Sequence, residues 1–98
     1  MEIKTTKNSG ELTVALSGRL DTLTAPDLED KLYEELDEAE KLIFDFAELE
    51  YISSAGLRVL LEAYKMMDEK DGMLVRNVTE PVMEIFEVTG FSDVLDIE

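Results

Sequence analysis

Residues 41–64, KLIFDFAELEYISSAGLRVLLEAY, decide the fold of this chain. They begin with the short apolar run Leu42–Phe46, which is bounded by charged residues and is too short and too aromatic for a helix. Such a run predicts a strand covered on both faces. After a few linking residues, apolar side chains recur at the spacing i, i+3, i+4, i+7, which predicts one buried face of a helix. These helical positions are Leu57, Leu60, Leu61 and Tyr64.

Four small residues, Ser53, Ser54, Ala55 and Gly56, lie where the strand gives way to the helix. A hydroxyl at this position is exposed and is surrounded by the unpaired N–H groups of the first helical turn. The spacing alone leaves two interpretations open. The serines cap the helix, which contributes about 1 kcal/mol, or one of them is presented to a partner enzyme for modification.

The residues before this stretch predict two half-buried strands and a helix. Ile3 and Thr5 alternate with polar residues, a turn signal follows at residues 8–10, and the alternation resumes over residues 12–17. Thr24 is a plausible N-cap for the first helix, with Asp27 three residues on to complete a capping box. The predicted buried stripe of this helix consists of Leu28, Leu32, Leu36 and Ala39.

The residues after it predict a further strand and a third helix. Gly72 suits a left-handed position after the second helix, and residues 73–75 form a short apolar strand. The third helix opens at residues 79–81 and stops at Gly90. Residues 94–97 fit either an edge strand or a last helical turn. The predicted inner face of the third helix consists of Val82, Ile85, Phe86 and Val88.

The order of these elements, β-β-α-β-α-β-α-(β), predicts a single α/β domain over residues 1–98. Right-handed crossovers make the central strands parallel, with an antiparallel strand at the N-terminal hairpin. We therefore expect a mixed, mostly parallel sheet of four to five strands with three to four helices.

Composition excludes several function classes. The chain has no His and no Cys, so it has no Ser-His or Cys-His nucleophile and no zinc site of the usual kind. A net charge of −15 argues against binding to nucleic acid or to anionic membranes. No apolar run reaches the length of a transmembrane helix and no signal peptide is evident, so we expect a cytoplasmic protein. A catalyst, a cofactor and a metal site are not expected.

The negative charge is concentrated in two segments. Eight acids and one base lie between Asp27 and Glu40, and six acids with no base follow Arg76. Two interpretations are compatible with each other: these are solvated faces, or they steer the domain toward a basic partner.

Two segments resemble the STAS domain (sulphate transporter and anti-sigma factor antagonist). They are LEYISSAGLRVLL at residues 49–61 and GRLDTLTAPDL at residues 18–28, and the resemblance is strongest to the small free-standing anti-sigma factor antagonists of bacteria. It implies that Ser54 is phosphorylated by a partner that is both serine kinase and anti-sigma factor. Many members carry an aspartate where this chain has Ser53, so both hydroxyls are candidates, with Ser54 favoured.

The resemblance further implies a phospho-switched binding module. Unmodified Ser54 would allow docking on the anti-sigma factor and release of a sigma factor, and a phosphoserine phosphatase would reset the switch. No direct nucleic-acid or membrane partner is expected, and a monomer is favoured over a dimer. The implied partner-binding residues are Asp21, Thr22, Thr24, Ser53, Ala55, Gly56, Leu57 and Arg58.

Two other functions stay open at this point. One is a non-phosphorylated STAS adaptor subunit of a larger complex, such as a lipid-transport ATPase. The other is a small enzyme whose acid-rich surface binds a metal-nucleotide. The first predicts stable co-purification with a membrane complex, and the second predicts turnover by the isolated protein.

Overall fold

A computed structural model describes residues 1–98 and contains five strands and three α-helices. Short 3₁₀ turns follow α1 and α3, at Leu36–Glu38 and Phe91–Asp93. None of the three helices is long and apolar enough to cross a membrane. The elements are β1 (Glu2–Asn8), β2 (Glu11–Leu20), α1 (Ala25–Glu35), β3 (Lys41–Ile52), α2 (Ser54–Met67), β4 (Met73–Arg76), α3 (Glu80–Thr89) and β5 (Asp96–Ile97).

The strands form one sheet in the order β1-β2-β3-β4-β5, with β1 antiparallel to β2 and every other pair parallel. Ser9 and Gly10 make the hairpin turn with φ of 54° and 84°, the two positive values that a two-residue type I′ turn requires. All three crossovers advance across the sheet in the same direction. Because such crossovers are right-handed, the three helices cover one face of the sheet. The predicted topology is confirmed.

The core lies between the helices and that face of the sheet. The predicted stripe of the first helix is buried at all four positions, although its last two residues belong to the 3₁₀ turn and the connection after it. Phe44, Phe46 and Phe86 are fully buried, with successive ring centroids 5.5 and 6.4 Å apart. Each such side chain stabilises the fold by roughly 1.5–3 kcal/mol. Ile43 points away from the helices, and it is buried without belonging to this cluster.

β3 is much longer than the predicted strand at Leu42–Phe46, because it continues to Ile52. The prediction of linking residues after Phe46 was therefore wrong. Leu49 and Ile52 are buried, whereas Glu48 and Glu50 face solvent, so this half of the strand is covered on one face only. Two register shifts against β2 let the pairing continue to the end of both strands.

The C-terminal region corrects one further prediction and resolves an open one. Val88 is 84% exposed, so it does not belong to the inner face of α3, which ends at Gly90 as predicted. Gly72 and Gly90 both adopt left-handed conformations. The last segment has a 3₁₀ turn followed by the two-residue strand β5, so the strand alternative is confirmed.

Candidate functional site

Ser54 is the first residue of α2 and is exposed at the carboxyl end of the parallel strands. β3 ends at Ile52, and Ser53 alone connects the strand to the helix. The next two residues, Ala55 and Gly56, have little or no side chain. The hydroxyl of Ser54 is therefore presented beside the free N–H groups of the first helical turn.

Ser53 occupies the N-cap position of α2 without capping it. Its backbone is extended (φ −98°, ψ 177°), as at many N-caps, but its hydroxyl makes no hydrogen bond to the helix. The hydroxyl oxygen is buried and has no hydrogen-bond partner at all. The structure therefore does not support the interpretation that Ser53 caps α2.

We expect Ser53→Ala to change the free energy of unfolding by less than about 0.5 kcal/mol, since it removes an unpaired hydroxyl rather than a cap. Urea denaturation of the two proteins measures the difference. Thr79→Ala is the matched control: Thr79 is the N-cap residue of α3, and its hydroxyl donates to the Leu49 carbonyl at 2.8 Å. That variant should lose about 1 kcal/mol. A loss of 1 kcal/mol or more in Ser53→Ala would restore the capping interpretation.

The loop between β2 and α1 is held together by Asp21 and Thr24. One Asp21 carboxylate oxygen accepts from the N–H groups of Leu23 and Thr24 at 3.0 and 3.2 Å. The Thr24 hydroxyl donates to the Arg19 carbonyl at 2.8 Å and accepts from the Asp21 N–H at 2.8 Å. These bonds fix the loop beside the start of α1.

The predicted capping box between Thr24 and Asp27 was wrong. Thr24 precedes the helix, but its φ of −100° and ψ of −21° lie in the helical region, and its side chain makes no cap hydrogen bond. The reason is that its hydroxyl is committed to the preceding loop. Its N–H is bonded by Asp21 instead of Asp27.

The surroundings of Asp21 lower its pKa below the usual range for an aspartate. Desolvation acts to raise this pKa, but the N–H groups of Thr24 and Leu23, the Thr24 hydroxyl and the Arg19 guanidinium together outweigh it. The guanidinium Nε lies 3.9 Å from the second carboxylate oxygen. The charged form of Asp21 is therefore the form that holds the loop.

Asp21→Asn keeps an acceptor oxygen and removes only the charge, so it isolates the effect of ionisation. Because the folded-state pKa is lowered, the charge stabilises the fold fully above the unfolded-state value of about 4. This contribution is lost as the pH falls through the folded-state pKa. We expect the wild type to be more stable than Asp21→Asn at neutral pH, and the difference to narrow as the pH falls below about 4. Chemical denaturation of both proteins from pH 7 to pH 3 measures it; a difference independent of pH would contradict the assignment.

The two loops meet, because parallel strands end at the same edge of the sheet. The Ser53 N–H donates to the Leu20 carbonyl at 2.9 Å. A Cβ atom on Gly56 would lie 2.7 Å from Leu20 Cγ and 2.8 Å from Ile52 Cγ1, so only glycine fits this contact. On the outer side, a depression of about 260 Å³ joins the start of α1 to the first turns of α2. It is lined by Thr22, Ala25, Pro26, Glu29, Ala55, Arg58 and Val59.

The predicted partner-binding residues divide between the surface and the interior. Thr22 and Arg58 are exposed, whereas Asp21, Thr24, Ser53 and Ala55 are partly exposed. Gly56 and Leu57 are buried, and Leu57 is part of the core. Gly56 and Leu57 therefore support this surface from below and expose little area on it.

Leu23 was missed by sequence reasoning. It lies between Thr22 and Thr24 in the same loop, and its side chain is 85% exposed. Its local sequence gave no signal of this exposure, because the turn that presents it depends on the contacts of Asp21 and Thr24. Its exposure leaves an apolar side chain uncovered in the loop that precedes α1.

Residues 2–98 match the family model described as STAS domain. Among related proteins, BtrV of Bordetella bronchiseptica is named as an anti-sigma factor antagonist. It is 35% identical over 99 residues, which span 99% of this chain and 85% of BtrV.

Solved structures share the fold. An anti-sigma factor antagonist from Mycobacterium paratuberculosis superposes with a TM-score of 0.87 at 24% identity, over 98% of this chain and 83% of that protein. The Bacillus cell fate determinant SpoIIAA in its phosphorylated form superposes with a TM-score of 0.76 at 15% identity, over 99% of this chain and 91% of that one. At these identities the likeness concerns the fold alone.

Proposed function

Because the chain belongs to the STAS domain family, we propose that it is an anti-sigma factor antagonist switched by phosphorylation of Ser54. It acts by binding rather than by catalysis. Unmodified, it docks on an anti-sigma factor and so releases a sigma factor; phosphorylated, it does not dock. The observation that carries the proposal is the exposed Ser54 hydroxyl at the start of α2, next to the Asp21–Thr24 loop.

The switch is electrostatic and local. A phosphate adds about −1.5 to −2 charges at a helix N-terminus, where anions are favoured by roughly 0.3–1 kcal/mol. The fold therefore tolerates the modification. Arg58 lies one helical turn beyond Ser54, at the i+4 spacing at which opposite charges on a helix attract. Docking requires this dianion to be desolvated against a surface that fits a neutral serine, which costs several kcal/mol.

The partner is an anti-sigma factor with serine kinase activity, and a phosphoserine phosphatase reverses the modification. BtrV, which is 35% identical to this chain, is named an anti-sigma factor antagonist. SpoIIAA, which has the same fold, has been solved in a phosphorylated form. Both support this assignment, and we place the exchange in the cytoplasm with a monomeric antagonist.

The partner surface extends from Ser54 to the neighbouring loop. Exposed Leu23 supplies an apolar anchor, and Thr22 and Arg58 supply polar contacts at its rim. The surface is thus composed of two loops that the Ser53–Leu20 hydrogen bond holds together.

Peptide mapping of the protein from its native cells tests the proposal. Trypsin cleaves after Lys41 and Arg58, so a single peptide, residues 42–58, contains both Ser53 and Ser54. We expect one phosphate on this peptide, placed on Ser54 by fragment ions and absent from Ser54→Ala. A phosphate that persists in Ser54→Ala would move the site to Ser53. An unphosphorylated peptide under every growth condition would favour the constitutive adaptor.

A further inference from the structure

The seam between α1 and α2 forms a second surface, and we propose that it docks a basic amphipathic helix of a partner protein. Three depressions follow one another along this seam. The one beside the Ser54 end shares Glu29 and Val59 with a shallow central one, which in turn shares Leu36 and Met66 with a third of about 250 Å³. The surface therefore extends along the whole of α1 and goes beyond the site proposed above.

The centre of the seam is apolar and partly uncovered. Tyr33 on α1 is 60% exposed and Met66 on α2 is 41% exposed, and both line the central depression. Beneath them Leu32, Val59 and Ala63 close the contact between the helices. A partner helix laid across the central depression would cover both Tyr33 and Met66 with its apolar face, as interface cores do.

The charges that line the apolar centre itself are negative, whereas the depression beside the Ser54 end contains one cation, Arg58. Both charged residues that line the central depression, Glu29 and Glu62, are acids. The third depression adds Asp37 and Glu69 together with Lys70, whose ammonium group is already bonded to the carbonyls of Leu36, Asp37 and Ala39 at 2.9, 3.2 and 2.7 Å. The cation of α1, Lys31, lies 3.7 Å from Glu35.

The apolar centre and the acids around it together favour a basic amphipathic helix as the binding partner. Carboxylates that flank an apolar strip complement a segment with lysines or arginines beside its apolar face. Packed helices lie 8–10 Å apart, so two neighbours leave a groove that accepts a third helix. α1 has eleven residues and is about 16 Å long, which matches three turns of a docked helix. A second copy of this chain, with a net charge of −15, lacks the required complementarity.

A peptide titration tests the proposal on the whole chain. The probe is a capped 14-residue peptide of leucine and lysine with leucines at i, i+3, i+4 and i+7 spacing. The control peptide has the same composition with leucine at alternate positions. ¹⁵N-labelled protein reports both the affinity and the amides that shift. We expect shifts at residues 29–36 and 59–66 with the helical peptide, and binding that weakens with added salt.

Variants of the chain decide whether the seam is responsible. We expect at least about tenfold weaker binding to Tyr33→Ser/Met66→Ser and to Glu29→Gln/Glu62→Gln. Val88→Ser is the matched control, because Val88 is 84% exposed on α3, away from the seam. Circular dichroism confirms that each variant is folded.

Three results would overturn the proposal: equal binding of the alternating peptide, unchanged affinity in both double variants, or shifts that are centred on α3 or confined to residues 21–24 and 53–58. None of them bears on the phosphorylation of Ser54, which peptide mapping measures independently.

Discussion

We expect phosphorylation of Ser54 to lower the affinity for the anti-sigma factor by at least about 100-fold and to change the free energy of unfolding by less than about 1 kcal/mol. A hundredfold loss corresponds to about 2.8 kcal/mol, which is within the cost of burying an uncompensated charge. The stability changes little because Ser54 is exposed at a helix N-terminus that favours anions. Calorimetry with the enzymatically phosphorylated and unmodified proteins gives the affinities, and urea denaturation gives the stabilities.

Two variants test whether the loss of affinity requires a negative charge at Ser54 itself. Val88→Glu adds a negative charge on α3, and we expect it to leave binding unchanged, because its side chain lies outside the proposed partner surface. Leu23→Ser removes the apolar anchor, so it should weaken binding of the unmodified protein about tenfold without adding charge. Equal affinity of the phosphorylated and unmodified proteins would refute the electrostatic switch. A phosphorylated protein that unfolds would refute the claim that the switch leaves the fold intact.

Gly56→Ala should destabilise the fold by about 1–3 kcal/mol, although glycine to alanine in an exposed helix position gains about 1 kcal/mol. The added methyl group would lie 2.7 Å from Leu20 Cγ and 2.8 Å from Ile52 Cγ1. Both of those side chains are fully buried, so neither can move aside without displacing its neighbours. Because Leu20 and Ile52 end the two strands that lead to the proposed partner-binding loops, we also expect weaker docking. Thermal and urea denaturation measure the loss of stability.

The control for this prediction is Gly72→Ala. Gly72 has a φ of +94°, and no atom lies within 4 Å of an added Cβ, so this variant carries only the backbone strain of about 1–2 kcal/mol. It should leave docking unchanged. If Gly56→Ala were as stable as the wild type, the close packing of Gly56 against Leu20 and Ile52 would not restrict this position to glycine.

The sequence predicts the elements whose pattern reports burial directly. The stripe at Leu28, Leu32, Leu36 and Ala39 follows the period of a helix, and all four residues are buried. The alternation of Leu12, Val14 and Leu16 in β2 likewise identifies the face toward the helices. In both cases the local spacing of apolar residues is enough to identify the buried face.

Prediction fails where burial depends on a distant part of the chain. The residues after Phe46 were predicted to be a linker, yet β2 pairs with Glu48, Leu49 and Tyr51 and keeps β3 extended. Val88 fits the period of α3, but no element covers that position. The hydroxyl of Thr24 was assigned to the helix that follows, whereas its acceptor is the carbonyl of Arg19, five residues earlier.

The position of Ser54 was predictable for a different reason. Parallel strands end at the same edge of a sheet, so two successive strand-to-helix loops had to be neighbours. Local patterns could not predict that Leu23 is exposed, because its exposure is set by the turn that Asp21 and Thr24 stabilise.

The strand order β1-β2-β3-β4-β5 has a consequence for the synthesis of the protein. Each strand pairs only with strands adjacent in the chain, so no pairing waits for a segment made much later by the ribosome. The hairpin can close first, and β3 can join it once α1 has been made. The contact of Gly56 with Leu20 and Ile52 needs no residue beyond α2. The edge that carries Ser54 can therefore be assembled from contacts that need no residue of the last third of the chain.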